Sequence, residues 1–98
     1  MAVRKLKKEL INLPLLKERI GEREIVYYPL GNHLAIMPGV CGGRPTVKFT
    51  RIDARAIIGA LQRGDTPEQI VAAFDIPLAA IDEAVQLSES YDYEKSYA

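Results

Sequence analysis

One cysteine, one histidine and no tryptophan occur among the 98 residues, and these scarcities narrow the chemistry. A lone Cys41 cannot close a disulfide within the chain, and with only His33 beside it no four-ligand Cys/His zinc site can be assembled. A reducing compartment is the simplest home for such a composition. Long apolar runs are missing too. The opening Met1-Ala2-Val3-Arg4-Lys5-Leu6 resembles the start of a secretory signal, but charged residues or Asn then interrupt the chain every few positions. The longest uncharged run lies between Glu24 and Arg44 and carries Pro29, Gly31, Asn32, Pro38, Gly39, Gly42 and Gly43, which break a spanning helix. A cytoplasmic location is expected. An ordinary content of 7 Gly and 6 Pro and 48% hydrophobic residues exclude collagen-like and wholly disordered chains and leave one small folding unit.

Thirteen Lys/Arg balance thirteen Asp/Glu, but the balance is uneven along the chain. Residues 1–51 carry ten Lys/Arg against four Glu, a formal +6, and residues 52–98 carry three against nine, a formal −6. Such a split permits two partners of opposite sign, head-to-tail self-association, or neutralisation of one half by the other.

Periodicity divides the chain into three parts. Residues 1–22 read as a basic helical segment: Leu6, Leu10 and Leu13 recur at i, i+4, i+7, Pro14 ends or kinks the helix, and Leu15, Leu16 and Ile20 continue as a short second turn. Residues 23–52 read as a β region. Ile25 to Leu30 and His33 to Met37 flank Gly31-Asn32 as a hairpin, Pro29 requires an edge or outward position, and Thr46 to Ile52 alternates as a third strand.

Residues 53–98 read as three helices. Asp53 can cap the first, where Ala54, Ile57, Ile58 and Leu61 form the apolar stripe and Gly64 the stop. Thr66-Pro67-Glu68-Gln69 is a capping box with Pro at the first helical position, followed by Ile70, Val71 and Phe74. After Asp75-Ile76-Pro77 the last helix has Ile81 and Val85 on one side and Ala80, Ala84, Leu87 and Tyr91 on another. The second side calls for another partner, either the β region or a second subunit, and a homodimer is expected.

Two short helices joined by three residues have the spacing of a helix-turn-helix, with Asp75 at the position that favours a left-handed backbone. The would-be recognition helix opens with Leu78-Ala79-Ala80-Ile81-Asp82-Glu83, two carboxylates without an Arg, Lys, Asn or Gln. Phosphates are repelled there and bases find no bidentate donor. Asp82 and Glu83 read as solvated surface.

Gly42-Gly43-Arg44-Pro45-Thr46-Val47-Lys48-Phe49-Thr50-Arg51-Ile52, Gly64-Asp65-Thr66-Pro67-Glu68-Gln69-Ile70 and Ile81-Asp82-Glu83-Ala84 resemble, over residues 39–87, the bacterial and archaeal family catalogued as domain of unknown function 433. The resemblance implies a helix-turn-helix domain with a preceding β element. It also implies an antitoxin-like role in a toxin-antitoxin system, similar to VapB-type antitoxins, beside a PIN-like ribonuclease. The family usually has Gly where Phe49 stands, so Phe49 implies a more regular strand here.

Catalytic groupings are scarce. His33 lacks a neighbouring acid or nucleophile, Cys41 lacks an activating partner, and Gly39 to Gly43 lacks the Lys-Ser/Thr of a phosphate loop. No enzymatic activity, metal or cofactor is expected. Arg4, Lys5, Lys7, Lys8, Arg44, Lys48 and Arg51 are the candidate nucleic-acid contacts. Leu87, Tyr91, Tyr93 and Tyr97, set among acids, are the candidate contacts to a basic protein. The reading is an α+β domain, an N-terminal helix and short β region followed by a three-helix unit. It is expected to act as an antitoxin-like regulator that covers a toxin and contacts operator DNA, or alternatively as an interaction or scaffold module without DNA affinity.

Overall fold

The computed structural model describes residues 13–98. The basic candidates Arg4, Lys5, Lys7 and Lys8, with Leu6 and Leu10, lie outside the described residues. Among the described residues a four-stranded antiparallel meander comes first, in the order β1 (Leu16–Ile20), β2 (Arg23–Pro29), β3 (Leu34–Ile36) and β4 (Thr46–Val47). Three helices follow it: α1 (Ala54–Gln62), α2 (Pro67–Phe74) and α3 (Leu78–Leu87).

This corrects the expected architecture over its described part: the helical segment expected over residues 1–22 lies outside the described residues up to residue 12, and beyond that the chain enters the sheet instead of a helix. Leu15, Leu16 and Ile20 do not continue a helix; Leu16–Ile20 is a strand whose register sets Leu16 opposite Tyr27 and Ile20 opposite Arg23. Leu16, Glu18 and Ile20 therefore share one face and Lys17 and Arg19 the other, and the β-branched and aromatic residues of β2 supply the ladder. The Tyr27 hydroxyl donates to Glu18 across the pair. A division at residue 22 falls inside this hairpin.

The hairpin around Gly31-Asn32 forms as expected, the Leu30 and Gly31 N–H groups both donating to the Leu34 carbonyl at 2.9 and 3.2 Å. Pro29 pairs with Ala35 on one side, and the β1 ladder has already ended at Leu16 opposite Tyr27 on the other. Its missing N–H therefore costs no pairing with β1.

The third strand is shorter than its alternation suggests. Only Thr46–Val47 is strand; the chain then turns, with Thr50 N–H and Oγ both donating to the Val47 carbonyl at 3.1 and 2.7 Å. Phe49 sits in this turn at φ +65°. The expected regular strand through Phe49 is thus overturned: the position keeps a backbone conformation that suits Gly, and Phe occupies it under strain. Its ring meets Tyr27 edge-on at 5.4 Å, which offsets part of that strain.

The sheet is apolar on both faces. Leu34 and Val47 join Ala54, Ile57, Ala60, Ile70, Ile76, Ala80, Ile81 and Ala84 in the main core under the helices. Tyr27, Ala35 and Met37 form a smaller cluster on the opposite face, with Ile25, Val40 and Phe49 at its margin.

The helix signals hold except at one cap. Thr66 and Gln69 form the reciprocal capping box, at 2.8 Å from Thr66 N to Gln69 Oε1 and 3.1 Å from Gln69 N to Thr66 Oγ1. Asp53 is the N-cap residue of α1, but its side chain makes no capping bond; it receives Arg44 Nε at 3.1 Å and Arg55 Nε at 3.3 Å instead. The surplus apolar face of the last helix is covered by its own chain. Ala80 and Ala84 are fully buried, Leu87 and Tyr91 pack against the core, and Tyr93 closes it with its hydroxyl donating to the Ala84 carbonyl at 2.5 Å. The face that argued for a second subunit thus has its partner in cis.

Glu83, read from the sequence as solvated, joins the two halves. Its carboxylate accepts the backbone N–H groups of Asn32, His33 and Leu34 at 2.8, 2.8 and 2.6 Å, so α3 is docked on the β2–β3 turn. Gly31 is required by this approach: a Cβ there would lie 2.6 Å from the Glu83 carboxyl carbon.

Urea denaturation checks two expected outcomes. Glu83→Ala should cost about 3 kcal/mol, because three N–H donors lose a charged acceptor, whereas Asp82→Ala, on the exposed side, should stay within about 0.5 kcal/mol of wild type. At Phe49 the usual order of small residues should invert, Phe49→Gly being more stable than Phe49→Ala by roughly 1 kcal/mol, since only Gly takes φ +65° without penalty.

Candidate functional site

The expected three-residue spacing is present, residues 75–77 separating α2 from α3. The α2 helix ends on Asp75, left-handed at φ 56° and ψ 51°, whose N–H donates to the Val71 carbonyl at 2.9 Å. Ile76 is buried in the turn and anchors it, and Pro77 then starts α3.

The orientation of α3 determines what it offers. Ala80, Ile81 and Ala84 face the core and Glu83 faces the hairpin turn. The outward face has Leu78 and Val85, 45% and 47% exposed, with Asp82 between them one turn along and Glu89 just past the helix end. Residues 78, 82 and 85 lie at i, i+4 and i+7, one stripe on the helix. Two apolar side chains interleaved with carboxylates suit a partner surface that is apolar and basic; a phosphate backbone meets only repulsion.

Two of the three candidate nucleic-acid residues within the described region have partners inside the fold. Arg44 is held by Asp53, and the Lys48 ammonium lies 5.4 Å from the Tyr27 ring centre and 5.5 Å from that of Phe49. Arg51 is exposed and its carbonyl accepts the Cys41 thiol at 3.3 Å. The exposed β1–β2 ribbon adds Lys17, Arg19 and Arg23, but Glu18, Glu22 and Glu24 accompany them and leave it without net charge.

The tyrosines of the tail turn inward. Tyr93 is only 7% exposed, which removes its ring from any partner's reach, and Leu87 and Tyr91 rest on the core. The Tyr97 ring meets that of Tyr91 edge-on at 6.1 Å, and the Tyr97 N–H donates to the Gly43 carbonyl at 2.8 Å. Arg55 joins this tail to α1 through Glu94 at 3.0 Å, and that contact, with Asp53, holds its guanidinium more firmly protonated than usual. The tail is therefore part of the fold. Leu78 and Val85 do not stand out in the sequence as site residues, although their i, i+7 spacing around Asp82 is visible there. Among the described residues no His/Cys/Asp/Glu group can hold a metal ion, and no helix is long and apolar enough to cross a membrane.

Burial, and secondarily the negative charge of Glu83, raises the Tyr93 phenol well above its ordinary value of 10.0; for Tyr27 the hydrogen bond to Glu18 leads, followed by burial. Both groups are held neutral by the fold, so the stability they contribute is complete below about pH 10 and is lost as pH rises above it. Ultraviolet titration of the five tyrosines should show Tyr93 ionising only as the protein unfolds, and Tyr93→Phe should remove that late component.

A family model described as "Protein of unknown function (DUF433)" matches residues 35–86, from β3 through nearly all of α3. No curated protein and no solved structure gives a significant match. The matched stretch holds the three helices, all but the last residue of α3, with the capping box, the Phe49 turn and Glu83, and covers more than half of the sequence. The chain belongs to the DUF433 family.

Proposed function

We propose that this chain is a non-catalytic, antitoxin-like regulator that acts by protein contact, its α3 face covering a basic surface of a partner toxin. The observation that carries the reading is the outward stripe of α3, where Leu78 and Val85 are exposed on either side of Asp82. An RNA-cleaving partner, such as the PIN-like ribonuclease implied by the family resemblance, needs a basic surface for its substrate, and an apolar helix face bearing carboxylates competes for it. Asp75 just before α3 and Glu89 just after it are exposed and carry the same sign of charge.

An interaction or scaffold module without DNA affinity is the second reading, and the acidic opening of α3 favours it over operator binding. Operator DNA would have to be gripped by Arg51, by the ribbon cations Lys17, Arg19 and Arg23 among their glutamates, or by residues outside the described region, because Arg44 and Lys48 are already engaged.

Co-expression with a PIN-like ribonuclease from the same gene neighbourhood tests the reading. Wild type should co-purify with the nuclease and inhibit RNA cleavage. Asp82→Lys and Val85→Glu should each weaken binding by at least about tenfold while leaving the fold intact. Inhibition that survives both changes would remove α3 as the contact. A gel shift on the chain's own upstream DNA, abolished by changes at Asp82 alone, would reverse the assignment in favour of DNA reading.

A further inference from the structure

A second surface lies on the sheet face remote from the helices. The β2 strand is paired with β1 over Arg23–Tyr27, whereas β3 pairs only with Tyr28 and Pro29. Among the described residues, the β3-side edge of residues 23–27 therefore has no strand partner. A groove of about 230 Å³ runs along this edge, bounded by four consecutive β2 residues, 23–26, on one side and by Met37, Val40, Phe49 and Arg51 on the other. Its floor is the margin of the smaller apolar cluster.

The charge around it is one-sided. Arg23 and Arg51 are exposed, and among the described residues neither guanidinium forms an ion pair. The Lys48 ammonium stands over the Phe49 ring that forms part of the wall. Glu24 is the single acid in the lining. A strand edge offers main-chain donors and acceptors, an apolar floor selects alternate side chains, and unpaired arginines select carboxylates.

We propose that this groove captures an extended acidic segment of a partner protein by strand addition to β2, with an apolar side chain on Ile25, Met37 and Phe49 and carboxylates at Arg23 and Arg51. The chain's own basic N-terminal residues have the wrong sign for this site. The groove is separate from the α3 face, so the molecule presents surfaces of opposite charge to two partners, in keeping with the +6 and −6 halves of the sequence.

The test is fluorescence anisotropy with a labelled, end-blocked decapeptide of alternating Glu and Val, titrated with the full chain. Binding is expected, weakened at least ~10-fold by Arg51→Glu or Arg23→Glu and by 0.5 M salt, and unaffected by Arg63→Glu on the far side of α1. A peptide with Pro at two central positions should fail, because strand addition needs its N–H groups. Absence of binding, equal binding of the Lys-for-Glu peptide, or full binding of the Pro peptide would each overturn the proposal. Light scattering gives the remaining arm. Self-association that is abolished by Arg51→Glu and not competed by the peptide would assign the groove to a second copy and overturn the partner-segment reading.

Discussion

The structure depends on one carboxylate. Glu83 reaches from the middle of α3 to the turn between β2 and β3, where it satisfies the N–H groups of three successive residues, Asn32, His33 and Leu34. Charge-assisted bonds of this kind are about twice as strong as neutral ones. Because they span the two ends of the fold, they fix the rotation of α3 about its own axis. With Glu83 turned to the sheet, Ile81 and Ala84 must enter the core, and Leu78, Asp82 and Val85 must face outward. The surface available for function is therefore a consequence of where this carboxylate is bound.

The same constraint separates the helix-turn-helix shape from DNA reading. The turn at Asp75 and the capping box at Thr66 and Gln69 end and start α2 where the spacing expects. A recognition helix, however, needs donors toward its N-terminus on the outward face, and here that face has apolar groups and carboxylates. Some of the basic side chains elsewhere are absorbed: Arg44 and Arg55 neutralise Asp53, and Lys48 rests over two rings. Thus part of the positive first half of the sequence neutralises the negative second half inside the fold, and the exposed remainder separates into an acidic helix face and a groove flanked by Arg23 and Arg51.

Local codes are legible in the sequence and distant ones are not. The capping box, the Gly64 stop, the Gly31-Asn32 hairpin and the three-residue turn are written within a few positions, each with a single steric or hydrogen-bonding cause. Leu16–Ile20 reads wrongly as helix because two apolar ends around three charges fit a helical turn as well as a strand; only pairing with β2 decides between them. The Phe49 turn is hidden because Phe has no reason of its own to take φ +65°, and the strain is tolerated through Tyr27, more than twenty positions away. Glu83 and its acceptor role are invisible for the same reason, its partners lying some fifty residues upstream. The tail tyrosines suggest a docking segment, but burial of Tyr93 against Ala84 turns them into core.

The decisive measurement is backbone amide hydrogen exchange of the chain, free and mixed with the nuclease proposed as its partner. New protection is expected along Leu78 to Glu89, with the amides of Asn32, His33 and Leu34 equally protected in both states, because the Glu83 contact holds α3 in place before and after binding. New protection confined to the sheet, with α3 unchanged, or loss of protection at Asn32 to Leu34 on binding, would contradict it.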